Sequence, residues 1–94
     1  MRIRTISYAA VEELREHIRQ VLCAREDLQP GEYPFVRLPI RRGEQHCGEL
    51  LIQHGPRLIR LLAVWDPQTG TVHYYDCNGE RFRVDRVQQV ARAA

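Results

Sequence analysis

The sequence predicts an α+β domain. A five-stranded, mostly antiparallel meander sheet is flanked by an N-terminal helix and a short C-terminal helix, in the order α-β-β-β-β-β-α. Three observations predict it. Leu58-Ile59-Arg60-Leu61-Leu62-Ala63-Val64-Trp65 is the most hydrophobic run in the chain, apolar on both period-2 faces apart from Arg60. That pattern belongs to a strand inside a sheet, covered above and below. Two turn signals, Asp66-Pro67-Gln68-Thr69-Gly70 and Asn78-Gly79, then fold the chain back twice. Val11, Leu14, Ile18, Val21 and Leu22 recur at helical spacing near the N-terminus.

Each element follows from its own residues. Ile3 to Ser7 is too brief to choose between a short edge strand and a lead-in to the helix. The helix is predicted over Tyr8 to Arg25, with Ser7 as N-cap. Glu12, Glu13 and Glu16 near its start and Arg15, Arg19 and Arg25 further along complement the macrodipole. Pro30-Gly31 turns the chain. Tyr33 to Arg42 reads as an edge or broken strand, because Pro34 and Pro39 cannot donate to a ladder. Val36, Leu38 and Ile40 form its better core face. Cys47 to Gln53 is the next strand, and His54-Gly55-Pro56 leads into the central one. Thr71 to Asp76 and Glu80 to Val84 pair around Asn78-Gly79, with Phe82 and Val84 facing inward. Asp85 and Gln88 fit a capping box, which predicts a helix over Arg86 to Ala93.

Ninety-four residues make one domain, spanning residues 1–94, and leave little room for a deep cleft. The formal charge of +2 is too weak to imply a nucleic-acid partner by itself. All 14 basic residues are arginine, which fits a compositional bias and also suits bidentate anion binding. No stretch approaches the roughly 20 apolar residues of a membrane helix. Met1-Arg2-Ile3-Arg4 opens no apolar leader. Cytoplasmic location with reduced Cys23, Cys47 and Cys77 is the resulting expectation.

A count of apolar faces points to function. The central strand shows Ile59, Leu61, Ala63 and Trp65 on one side and Leu58, Leu62 and Val64 on the other. Two helices on the same face of the sheet bury only one set. The other set implies association through Leu58, Leu62 and Val64, with Tyr74 of the neighbouring strand on the same face. The leading reading is therefore a small protein-interaction or structural domain that pairs with a second copy or another protein.

Two alternatives stand beside it. A nucleic-acid-binding module would use Arg37, Arg41, Arg42, Arg57 and Arg60 with interleaved Tyr33, Phe35 and Tyr74 or Tyr75. In the same region, His54-Gly55-Pro56-Arg57 sets an imidazole and a guanidinium beside a tight turn, where a small anion fits. A zinc-binding or cysteine-dependent enzyme would draw on His46, Cys47, His54, His73 and Cys77, with Glu49 or Asp76 as the acid. Their spacing matches no zinc finger, and the chain has no nucleophile-elbow, zinc-protease or phosphate-loop motif.

Overall fold

A computed structural model of the chain describes residues 2–90. The elements run β1 (Ile3–Tyr8), α1 (Val11–Arg25), β2 (Phe35–Arg42), β3 (Gln45–His54), a 3₁₀ turn (Pro56–Leu58), β4 (Arg60–Asp66), β5 (Thr71–Tyr75) and β6 (Arg81–Gln89). All strands join one sheet in the order β1-β6-β5-β4-β3-β2. Strands β2 to β6 form the antiparallel meander, and β1 pairs parallel to β6 on its outer side. The described residues thus form an α+β domain with a mixed six-stranded sheet and one α-helix. It is not the five-stranded sheet with an N-terminal and a C-terminal helix that the sequence predicts.

The second helix is the largest correction. Residues 86–89 continue β6 as a strand, and Ala91 to Ala93 lie outside the described residues. Asp85 does not cap a helix; its carboxylate is buried in the sheet–helix interface. An eight-residue helix is marginal alone. As a strand, residues 86–89 pair with β1, Arg86 also pairs with Thr71 of β5, and the Val87 N–H bonds the Gly70 carbonyl at 2.7 Å.

Helix α1 begins three residues later than predicted. Ser7 is paired in β1 opposite Gln88, so it caps nothing. The N-cap is Ala10, without a side-chain bond, and Glu13 Oε2 reaches back to accept the Ala9 N–H at 3.1 Å. At the other end Asp27 takes a left-handed φ of 57°, and Leu28 N–H closes onto Cys23 O at 2.8 Å. That is the Schellman way of ending a helix.

The helix crosses one face of the sheet. Leu14, Ile18 and Leu22 from its apolar stripe are fully buried against Leu51, Leu61, Ala63, Trp65, Val72 and Tyr74. Tyr8 meets Trp65 edge-on, with ring centroids 6.4 Å apart. The alternation read in the central strand holds for Leu61, Ala63 and Trp65, which face the helix. Strand β4 itself starts at Arg60, so Leu58 belongs to the preceding turn.

Two bulges change which residues face where. Between β5 and β6, Tyr74 pairs with Arg83 and Tyr75 with Arg81, which leaves Phe82 as the extra residue. Phe82 and Arg83 both then turn towards the helix, where both approach the Tyr74 ring. Val84 falls on the opposite side, so the expected shared inward facing of Phe82 and Val84 is split. The second bulge lies at Ile40/Arg41 against β3. Strand β2 is also inverted relative to expectation. Phe35, Arg37 and Pro39 stand in register with Gln53, Leu51 and Glu49 of the helix side, and Val36, Leu38 and Ile40 take the other face.

Gly48, just past that bulge, has no room for a side chain. A Cβ there would lie 2.4 Å from the Trp65 carbonyl oxygen, a backbone atom that cannot swing aside. Gly48→Ala should therefore cost about 1–3 kcal/mol. A urea midpoint unchanged from wild type would contradict this packing.

Candidate functional site

Beneath the helix lies a buried polar cluster. Asp85 is fully buried, and each of its oxygens is engaged. Oδ2 accepts from Tyr74 Oη at 2.7 Å and from His17 Nε2 at 3.1 Å, and Oδ1 accepts from Arg83 Nε at 2.9 Å. A carboxylate can only accept, so His17 carries a proton on Nε2. Burial is the largest single influence and pushes the Asp85 carboxyl up. The donors from His17, Arg83 and Tyr74 together outweigh it and hold the group below the ordinary carboxylate range. Burial, and then the bond to Asp85, push the Tyr74 phenol well above its usual range, so it stays a donor. A second pin joins Arg15 of α1 to buried Glu49 of β3, Nε to Oε1 at 2.9 Å and Nη2 to Oε2 at 2.8 Å. These two clusters fix where the helix sits on the sheet.

Among the described residues, no helix lies on the opposite face. In register across it run Val36, Leu38 and Ile40 of β2, Leu50 and Ile52 of β3, and Leu62 and Val64 of β4. Leu38 and Ile40 are 46% and 36% exposed. At the other end of this face Leu58 helps line a shallow groove of about 400 Å³ with Leu50, Ile52 and Leu62 and with polar Arg60, Asp76 and Cys77. Its exposure is 95%, the greatest among the large apolar residues. The backbone holds it there at a cost. Arg57 and Leu58 both have left-handed φ, 54° and 64°, and such non-glycine residues each cost about 1–3 kcal/mol. Across β5 and β6 the same face becomes more polar: Thr71, His73 and Tyr75 pair with Arg86, buried Val84 and Arg81.

Leu62 and Val64 therefore stand on the uncovered face, and Leu58 stands at its rim. Tyr74 does not. It is fully buried on the helix side, with its hydroxyl on Asp85, and the tyrosine of the open face is Tyr75. Reading single-strand parity found Leu62 and Val64 but placed Val36, Leu38 and Ile40 in the core. The clue to the inversion was Glu49. The one acid of β3 takes its partner, Arg15, from the helix, which sets the side that β3 shows to α1.

The arginines proposed for nucleic acid do not gather. Arg41 and Arg42 lie at the β2–β3 hairpin, and His54, Arg57 and Arg60 lie at the far end of β3. Ten residues of strand separate these ends, about 30 Å. Arg37 stands on the helix side with Glu12, Glu16 and Phe35. The zinc and cysteine candidates are equally scattered. Among the described residues, no three His, Cys, Asp or Glu side chains come together as metal ligands. Cys47 Sγ contacts only the Gln45 carbonyl at 3.5 Å, among the bonds seen. Glu49, the acid proposed for it, is held by Arg15. Cys77 donates to Glu26, which raises its pKa, and burial raises that of Cys23. Neither thiol is activated.

No family model matches the chain, and no curated protein or solved structure matches it. Among the described residues, no helix is long and apolar enough to cross a membrane. What stands is a small, compact α+β domain, with a Cα radius of gyration of 13.4 Å and exposed hydrophobic residues on its sheet.

The Asp85 cluster makes a pH prediction. Its carboxyl titrates lower in the folded chain than in the unfolded chain. On acidification the unfolded state therefore binds the proton first. Stability from Asp85 is complete above the unfolded value near pH 4, and it is lost as pH falls through the native value. Asp76 adds to the same acid slope, because the Glu80 N–H, then the Asn78 N–H and Arg25, hold it low. Asp85→Asn should lower stability at neutral pH by about 3 kcal/mol and flatten the acid limb, leaving the part due to Asp76. Denaturant titrations at several pH values read both effects. A wild-type acid slope in the variant would contradict the assignment.

Proposed function

We propose that the protein is an interaction module that pairs with a second copy of itself by packing the β2–β3–β4 faces of two sheets against each other. One observation carries this reading: among the described residues, no element of the chain lies over the apolar face of β2, β3 and β4. Three strands about 4.8 Å apart and eight residues about 3.3 Å apart give a patch on the order of 400 Å² in projection. Two such patches facing each other bury on the order of 1,000 Å² of accessible surface, the area a specific pair needs.

The arrangement on the face favours a like partner. Apolar residues dominate the β2–β4 half, with Arg60 at its end beside Leu58, and His73, Tyr75, Arg81 and Arg86 stand on the other half. A two-fold pairing sets apolar half on apolar half and leaves the basic halves in solvent. Edge-to-edge growth is disfavoured at β2, where Pro39 lacks the N–H that a new strand would bond. Strained Leu58 fits a knob that enters the partner surface. An apolar side chain held out at an energetic cost gains most when it is covered.

Sedimentation velocity over a wide concentration range tests the reading. Wild type should dimerise reversibly at tens to hundreds of micromolar. Leu38→Glu alters an already half-exposed side chain, so the far-UV spectrum should stay unchanged while dimerisation weakens by about tenfold or more. A wild-type chain still monomeric at millimolar concentration would overturn the proposal. So would a Leu38→Glu chain that dimerises as well as wild type.

A further inference from the structure

On the helix side of the sheet, away from the apolar patch, lies a different feature. A groove of about 740 Å³ opens between β1, the C-terminal half of α1 and the start of β6. Its volume falls in the range of small-ligand sites, about 300–1,000 Å³. Arg2, Arg4, Arg25 and Arg83 line it from the helix side, and Arg81, which pairs with Tyr75 on the opposite face, reaches its rim where β6 begins. We infer that this groove binds a ligand carrying two or more adjacent phosphate groups.

The fold assembles it from distant parts of the chain. Parallel pairing sets Arg4 opposite Asp85, on the side of β1 that faces the helix, and Arg2 follows by period-2 alternation. The bulge at Phe82 turns both Phe82 and Arg83 to that side. Arg25, in the last turn of α1, lies over the Phe82 ring with its guanidinium carbon 4.7 Å from the centroid. That stacking holds one guanidinium plane in place, and Phe82 forms a firm apolar floor.

Charge decides the ligand. Two carboxylates, Asp76 and Glu80, also line the groove. Asp76 is already committed, since it accepts the N–H groups of Asn78 and Glu80 at 2.9 and 3.0 Å and lies 3.5 Å from Arg25. Arg83 is committed to Asp85 through Nε. Arg2, Arg4 and Arg81 make no ion pair among the described residues. Arg81 meets only the neutral-capable ring nitrogen Nδ1 of His73, at 3.3 Å. The Glu80 carboxylate and the C-terminal end of α1 add about one and a half negative charges, short of the three guanidiniums of Arg2, Arg4 and Arg81. Guanidinium forks match phosphate oxygens bidentately, and several converging on one groove favour a polyphosphate or a phosphodiester chain over a single carboxylate.

Inorganic tripolyphosphate, by calorimetry, and a fluorescein-labelled oligothymidylate, by anisotropy, probe the groove on the full chain. Arg4→Gln combined with Arg81→Gln removes two cations that hold no ion pair, so the thermal midpoint should be unchanged. The expected result is saturable tripolyphosphate binding that weakens by about tenfold or more in this double variant. Arg41→Gln combined with Arg42→Gln, at the remote hairpin, should retain wild-type affinity. If the ligand is a phosphodiester chain, the oligonucleotide competes with tripolyphosphate and weakens steeply between about 50 and 200 mM salt. If it is a free polyphosphate, tripolyphosphate alone binds. No binding of either probe at low salt would overturn the inference, as would equal loss in the two double variants. Leu38→Glu should leave phosphate binding intact, which separates this inference from the pairing proposal.

Discussion

One helix of fifteen residues must serve a sheet six strands wide. At 1.5 Å per residue it is about 22 Å long, enough to run across one face and no more. This constraint shapes everything else in the molecule. The covered face holds the core, and the other face keeps the side chains that the same strands present on alternate positions. A strand such as β4 is apolar on both sides because period-2 geometry gives it two faces, whereas the described residues cover one.

The position of the helix is set by polar groups as much as by its leucines. An apolar stripe slides easily, since one leucine packs much like another. Arg15 on Glu49, and His17, Tyr74 and Arg83 on Asp85, do not slide, because each broken bond leaves a buried charge without its partner. The net gain from such clusters is small compared with the cost of mispairing, so their main effect is on orientation. They also aim the surfaces. With α1 fixed, Arg25 comes to rest over Phe82, beside Arg4 and Arg83, and the arginine groove takes shape.

Much of this was legible in the residues and much was not, for identifiable reasons. Asn78-Gly79 and Asp66 to Gly70 mark their hairpins because turn chemistry is local. Leu14, Ile18 and Leu22 mark the buried helix stripe because helical spacing is local too. The false C-terminal helix came from the same kind of signal. Asp85 and Gln88 satisfy a capping pattern, but pairing of β6 with two neighbours overrode it. Bulges defeat parity counting, which is why Phe82 and Val84 were assigned one face and occupy two. The apolar patch was half visible: Leu62 and Val64 follow from β4 alone, whereas Leu38 and Ile40 needed the register of β2 on β3. The arginine groove was invisible, because residues 2 and 83 become neighbours only when β1 docks on β6.

Hydroxyl-radical footprinting over a dilution series would test most directly whether the uncovered face is covered by another copy. Leu38, Leu58 and Leu62 should be protected at high protein concentration and become reactive on dilution, while Leu14, Leu61 and Tyr74 stay protected throughout. Reactivity of the first three that does not change with concentration would mean that the bare side of the sheet meets water in the native state, and that the proposed pairing does not occur.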